Sequence, residues 1–206
     1  MRAAPARIVA LGAGAATAGA TYWMRKHPEA LPYSLRFFVQ GPHPLITRAR
    51  LREILDPQPG ERILEVGPGT GYYTIELARW VGNQGAVEIL DVQQEYLEHT
   101  IRRAREQGLW NVSPTRADAQ DLPHDDASFD AAILITVLGE IPDQDAAMRE
   151  LKRVLRPGGR LVVGELALGD PHYVAFPALR RRAEAVGLRL DRRVGPMLGY
   201  FARFSA

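Results

Sequence analysis

The sequence predicts an α/β fold, a mostly parallel sheet covered by helices. From residue 62 onward, short apolar runs alternate with stretches of helical period. Residues 131–137, AAILITV, form a nearly unbroken apolar run, typical of a strand buried on both faces. A glycine-rich turn at 67–71 joins a buried strand to the helix after it. Such alternation favours helices on both faces of a parallel sheet.

Each element shows the spacing of its own type. Apolar residues at intervals of three and four predict helices over 45–55, 73–81, 93–107, 144–155 and 173–186. Short apolar and β-branched runs predict strands over 62–66, 86–90, 112–116, 131–137, 160–166, 188–194 and 199–204. We interpret Pro157-Gly158-Gly159 as a turn that precedes the strand at 160–166.

The composition favours one globular domain. The chain has 206 residues, of which 46% are hydrophobic and 24% charged, and its formal net charge is +2. These values argue against a multi-span membrane protein. The absence of cysteine excludes disulfides, thiolate metal sites and a cysteine nucleophile. The histidines lack ligand spacing, so we predict no metal. We expect a cytoplasmic protein.

The N-terminal segment is distinct in composition. Residues 8–24, IVALGAGAATAGATYWM, carry no charge and lie between arginines. A membrane-spanning helix needs roughly 20 mostly apolar residues, so this stretch is at the lower limit. Tyr22 and Trp23, followed by basic residues, also suit a bilayer interface, and a loosely held leader is the alternative. We therefore predict a leader or membrane-associated segment over 1–30 and a main domain over 31–206.

The turn at 65–71, EVGPGTG, is the first candidate ligand site. Ligands of open α/β sheets bind beyond the carboxyl ends of the strands, and glycines let a ligand approach the backbone. The spacing is G-x-G-x-G, with Tyr72 where a dinucleotide fingerprint needs glycine, and no Lys-Ser/Thr follows as in a P-loop. Glu65 suits a ligand with a cationic amino-acid end. The alternative is a tight turn that needs glycine only for its conformation.

Two further acids follow the next strands. Asp91 closes the strand after the glycine loop, where an acid in a nucleotide-binding domain accepts hydrogen bonds from ribose hydroxyls. Asp118 follows the third strand and is placed to accept from an adenine amino group. The alternatives are a helix cap for Asp91 and a solvated loop acid for Asp118.

These motifs together resemble a known family. ILEVGPGTG, Asp91, DAQDLP, SFDAAILITVLGEIPD and LKRVLRPGGRLVVGE occur in the same order as in class I S-adenosylmethionine-dependent methyltransferases, especially the ubiquinone/menaquinone-biosynthesis-like group. The resemblance covers roughly residues 55–206. It implies a Rossmann-like sheet of seven strands with an antiparallel last strand. It also implies S-adenosylmethionine as the cofactor, and hence a methyltransferase domain over 31–206.

The resemblance also assigns roles to the glycine loop. Gly67, Gly69 and Gly71 would cradle the methionine part of the cofactor. Glu65 would lie near the amino group of that part.

The remaining cofactor positions follow the later strands. Asp91 would bind the ribose, and Val92 would pack on the adenine. Asp118 and Ala119 would bind the adenine edge, and Thr136 would line the sulfonium side.

The acceptor side departs from the family pattern. Gly139-Glu140 stands where many members carry His-Glu, so base catalysis by that histidine is absent. Glu140 is the candidate for orienting an acceptor, and the alternative is a loop residue that caps or pairs. Tyr33 and Phe37 belong to an aromatic group before the first strand that either covers an apolar acceptor or packs in the core.

The resemblance leads to a methyltransferase acting on a small-molecule or lipid/quinone-like acceptor. A non-catalytic S-adenosylmethionine-binding module, recruited to a membrane or a partner, is the alternative. Nucleic acid is disfavoured as acceptor, because the chain lacks the Asn/Asp-Pro-Pro-Tyr/Phe motif of exocyclic-amine methyltransferases. The sequence specifies no oligomeric state.

Overall fold

A computed structural model of the protein describes residues 28–39, 44–168 and 170–206. The candidate membrane segment at 8–24 and nearly all of the predicted leader lie outside these residues. Within the described part of the chain, every helix is too short or too polar to span a bilayer.

A seven-stranded sheet forms the centre of the molecule, in the order β3-β2-β1-β4-β5-β7-β6. Only β7 runs antiparallel to its neighbours. The strands are β1 (Arg62–Val66), β2 (Ala86–Asp91), β3 (Val112–Arg116), β4 (Phe129–Ile135), β5 (Leu155–Leu166), β6 (Arg189–Val194) and β7 (Gly199–Ser205). The predicted sheet of seven strands with an antiparallel last strand is confirmed.

Helices cover both faces of the sheet. They are α1 (Arg48–Leu55), α2 (Thr74–Val81), α3 (Gln94–Glu106), α4 (Gln144–Val154) and α5 (Phe176–Ala185). Short 3-10 turns occupy Tyr33–Val39 and Leu138–Glu140. Apolar residues of α1, α2 and α3 pack on one face of the sheet, and those of α4 and α5 pack on the other. Successive residues of the central strands enter the two cores in turn, because neighbouring side chains of a strand point to opposite faces of the sheet.

The boundaries differ from the prediction where backbone geometry intervenes. The fourth strand ends at Ile135, because Thr136 adopts a left-handed φ of 56° that no strand continues. The predicted turn at 157–159 is wrong, since these residues belong to β5. Gly158 N–H donates to Ala206 O, and Ala206 N–H donates to Gly159 O, so pairing with the C-terminus extends the strand. The last helix begins at Phe176, three residues later than predicted.

Candidate active site

A cavity of about 370 Å³ lies at the carboxyl edge of the sheet. It opens between β1 and β4, which are neighbours in the sheet but not in the sequence. This is the switch point at which open α/β sheets bind their ligands. The cavity is lined by nine of the ten predicted site residues, namely Glu65, Gly67, Gly69, Asp91, Val92, Asp118, Ala119, Thr136 and Glu140.

The glycine loop leaves space where side chains would intrude. Gly67 and Gly69 have positive φ values of 66° and 53°, which favour glycine. A Cβ on Gly67 would lie 2.4 Å from Val137 Cγ2, a clash at the wall of the cavity. Glycine at 67 therefore lets the loop pack against Val137, and both residues line the cavity.

Gly71 has a different position from the other two glycines. It does not line the cavity, and a Cβ there would lie 2.9 Å from Thr100 Cγ2 on α3. Thr100 Oγ1 donates to Gly69 O at 3.1 Å, and Arg103 Nη1 donates to Thr70 O at 2.8 Å. Gly71 thus lets α3 pack against the loop and hold its shape. The glycine motif alone does not distinguish this packing role from direct contact with a ligand.

Glu65 is a buried carboxyl group at the end of β1. Its Oε2 accepts a hydrogen bond from Thr74 Oγ1 at 2.5 Å, at the start of α2. Burial raises the pKa of Glu65 to about 8, and the bond from Thr74 opposes this rise. A cationic amino group beside this carboxyl group would favour its ionised form. The carboxylate of Glu65 is therefore an acceptor that fits the ammonium group of S-adenosylmethionine.

Asp91 ends β2 at the rim of the same cavity. Its Oδ1 accepts from Gln93 N at 2.9 Å, while the N-cap position of α3 belongs to Gln93. Asp91 is therefore not the N-cap residue of α3. Burial raises the pKa of Asp91 to about 6, and the remaining acceptor capacity of its carboxylate suits ribose hydroxyls.

Asp118 is engaged in a local network. Its Oδ1 accepts from Gln120 N at 2.9 Å, and its Oδ2 accepts from Gln120 Nε2 at 2.7 Å. Gln120 Oε1 in turn accepts from Asp143 N at 2.8 Å, before α4. Gln120 also lines the cavity, and the sequence analysis missed it because a glutamine in a loop carries no distinctive pattern.

Thr136 lies directly after β4 with strained backbone torsions. Its N–H donates to Gly164 O at 2.8 Å, so the sheet still holds it although its φ is 56°. Left-handed torsions are rare for β-branched residues and concentrate at functional sites. Thr136 also lines the cavity.

Glu140 faces the cavity from the 3-10 turn after β4. Its Oε2 accepts from the backbone N–H of Leu31 at 3.2 Å. Burial, together with the nearby carboxylates of Asp170 and Asp91, raises the pKa of Glu140 to about 7, and the bond from Leu31 opposes this rise. A carboxyl group that titrates near neutral pH is suited to exchanging protons with a bound molecule.

Residues 28–33 cross the cavity as a strap. Gln93 Nε2 donates to Leu31 O at 2.9 Å, and Gln93 Oε1 accepts from Tyr33 N at 3.0 Å. The ring of Tyr33 packs edge-on against Tyr96, with centroids 5.1 Å apart. Pro28 to Leu31 line the cavity, so the strap forms part of its wall. Gln93 was missed from sequence, since its partners lie about sixty residues away in the chain.

The glycine that replaces the familiar histidine has a structural cause. A Cβ on Gly139 would lie 1.8 Å from His172 O, in the segment after β5. Only glycine therefore fits at this position with the present backbone. Among the described residues, His, Asp and Glu side chains form no group that would hold a metal ion.

Fold and cavity together define an α/β protein that binds a nucleoside-type cofactor at the switch point of its sheet. Residues 63–159 match the family described as a methyltransferase domain. The solved structure of a SAM-dependent methyltransferase from Aquifex aeolicus has a TM-score of 0.78 at 21% identity, covering 85% of this chain and 99% of that one. The solved structure of the [4+2]-cyclase SpnF has a TM-score of 0.65 at 30% identity, covering 71% of this chain and 57% of that one.

Curated relatives indicate which group of methyltransferases this chain resembles. The ubiquinone/menaquinone biosynthesis C-methyltransferase UbiE of Vibrio parahaemolyticus is 40% identical over 111 residues, 53% of this chain and 43% of that protein. UbiE of Vibrio vulnificus is 38% identical over 142 residues, which are 68% of this chain and 53% of that protein. The chain thus spans about half the length of these relatives. These comparisons support a class I S-adenosylmethionine-dependent methyltransferase of the UbiE-like group, and S-adenosylmethionine is the cofactor that family and fold imply.

Proposed function

We propose that the protein transfers a methyl group from S-adenosylmethionine to a quinone-like or other lipid-like acceptor. The observation that carries this proposal is one cavity lined by two kinds of residue. Glu65, Asp91 and the glycine loop suit the cofactor, and Glu140 lines the same space. The names of the curated relatives support an aromatic quinone-like acceptor.

In this proposal the residues after β1, β2 and β3 hold the cofactor. Glu65 binds the amino group, Asp91 accepts hydrogen bonds from the ribose, and Val92 packs on the adenine. Thr136 lines the sulfonium side. S-adenosylmethionine, when bound, supplies a methyl group on a positively charged sulfur. The nucleophile of the acceptor attacks the methyl carbon, and the sulfur is the leaving group. Holding the acceptor in line with that methyl group accounts for much of the rate.

Glu140 has a distinct role on the acceptor side. We expect its carboxylate to accept a proton from a hydroxyl group of the acceptor as the new bond to carbon forms. Loss of that proton raises the electron density of an aromatic ring and makes a ring carbon a better nucleophile. The ring carbon that gains the methyl group then loses its hydrogen as a proton and the oxygen regains one, so that the aromatic ring is restored. The pKa of Glu140 near 7 leaves a large fraction ionised at neutral pH, as a general base needs.

The test is incubation of the protein with labelled S-adenosylmethionine and a lipid extract, followed by mass spectrometry of the labelled product. We expect label in a compound that partitions into organic solvent. The Asp91→Asn variant serves as a control that is weak in cofactor binding. Label confined to water-soluble compounds would exclude a lipid-like acceptor. Cofactor binding by calorimetry without any labelled product would contradict the enzyme assignment.

A further inference from the structure

Large apolar side chains are exposed at the carboxyl edge of the sheet, beside the cavity. Leu168 follows β5 and is 58% exposed, and Met197 lies before β7 and is 76% exposed. Leu198 next to it is also exposed. Hydrogen bonds hold these residues together, because Ala167 N–H donates to Leu198 O and the side-chain hydroxyl of Tyr173 donates to Met197 O. They therefore form one fixed apolar set rather than scattered side chains.

A second apolar set lies on the turn that follows the strap. Leu35 is exposed, and Phe37 is 67% exposed. The guanidinium of Arg36 lies 4.6 Å from the centre of the Phe37 ring. An aromatic ring beside an arginine is typical of residues at a membrane interface, where the ring enters the lipid and the cation meets the headgroups.

The two sets are connected along this edge. The strap joins Glu140 through Leu31, and Gly139 packs against the backbone of His172. The segment of His172 continues to Tyr173, which is bonded to the loop of Met197. We call the exposed apolar residues on this edge the rim, defined as Leu35, Phe37, Leu168, Met197 and Leu198.

The strap is preceded in sequence by an uncharged stretch and a basic pair. The strap begins at Pro28, directly after 27 residues that include the uncharged stretch at 8–24. This stretch is followed by Arg25 and Lys26, so a basic pair stands next to the strap in sequence. Any membrane contact by 8–24 would hold the carboxyl edge close to the bilayer.

We propose that the rim docks on the surface of a lipid bilayer, with the mouth of the cavity facing the membrane. This inference rests on the proposed function, because an acceptor with a long apolar tail resides in the bilayer. Exposed apolar side chains beside a cavity mark contact with an apolar partner, and their burial in lipid is favourable. In this orientation the acceptor enters the site without crossing water.

The test is flotation of the full-length protein with vesicles of phosphatidylcholine and phosphatidylglycerol. We compare the wild type with a variant carrying Phe37→Ser, Leu168→Ser and Met197→Ser, none of which lines the cavity. The matched control is Trp110→Ser, because Trp110 is 75% exposed but precedes the amino end of β3, at the opposite edge. We expect the rim variant to bind vesicles at least tenfold more weakly and the control to bind as the wild type.

Three results would overturn the docking surface. They are wild-type protein that does not float, a rim variant that floats as the wild type, and a Trp110→Ser variant that loses as much binding as the rim variant. Light scattering adds a fourth, a wild-type dimer that the rim variant converts to monomers with vesicle binding unchanged. Calorimetry with S-adenosylmethionine checks that each variant is folded. The proposed function fails separately, if vesicles are bound but no methyl group is transferred.

Discussion

The two halves of the cavity are built differently. On the cofactor half, each carboxylate bonds to a residue close to it in the chain: Glu65 to Thr74, Asp91 to Gln93, and Asp118 to Gln120. On the acceptor half, Glu140 bonds to Leu31, which lies 109 residues away, and Gly139 touches His172 across another loop. The carboxylates of the cofactor half are therefore held by local contacts, whereas the acceptor half depends on contacts between distant parts of the chain.

Removal of the carboxylate on the acceptor half is the largest expected effect. In Glu140→Gln we expect kcat to fall by about 10²–10⁴-fold, because the amide cannot accept the proton. The amide oxygen still accepts from Leu31 N–H, so cofactor affinity should be unchanged. The wild-type rate should rise as the pH passes about 7, where Glu140 ionises, and the variant should lose this rise. A pH profile of kcat measures both.

The control for Glu140 is Glu106→Gln, an exposed acid at the far end of α3. It should keep the wild-type rate and profile. A Glu140→Gln variant with wild-type kcat would mean that Glu140 only anchors the strap.

Within the cofactor half, the two loop acids should differ. We expect Asp91→Asn to weaken cofactor binding by about 10–100-fold, because it removes a charge-assisted acceptor for ribose hydroxyls. Asp118→Asn should cost less than tenfold, since both oxygens of Asp118 are already engaged by Gln120. Titration calorimetry with S-adenosylmethionine measures both. Equal losses in the two variants would contradict the different roles assigned to them.

The contact between the loops of the acceptor half can be broken by one methyl group. Gly139→Ala should lower the free energy of unfolding by about 3 kcal/mol, because the new Cβ overlaps with His172 O. Gly187→Ala is the control, since it has a left-handed φ of 84° but free space around it. It should cost only about 1 kcal/mol. Denaturant unfolding compares them, and a smaller loss for Gly139→Ala would contradict the contact.

The strap should give the smallest effect. Gln93→Ala removes the side chain that bonds Leu31 O and Tyr33 N–H, so the Tyr33 amide should exchange its hydrogen faster. Cofactor affinity should fall by only about 3–10-fold, because the main cofactor ligands remain. Hydrogen exchange and calorimetry measure these changes. Gln94→Ala, whose side chain bonds only Glu98 on the helix surface, is the control; equal exchange in both variants would exclude the clamp.

The same contrast explains what could be predicted from the sequence. The strands, the glycine loop and the cofactor acids follow from local patterns, because strand ends and turns are specified by neighbouring residues. Gln93 and Gln120 were missed, since their partners or their place in the cavity arise only on folding. The cause of glycine at 139 was hidden for the same reason, because His172 O approaches it from another loop. Gly71 met the motif but contacts α3 instead of the cavity.

The packing of Gly139 under His172 also has a consequence for protein engineering. Any side chain introduced at 139 requires the loop after β5 to move away, because its Cβ overlaps with His172 O. The segments 138–140 and 170–174 therefore form one exchangeable module. Acceptor preference should be transplanted between members of this group only when both segments are taken from the same donor.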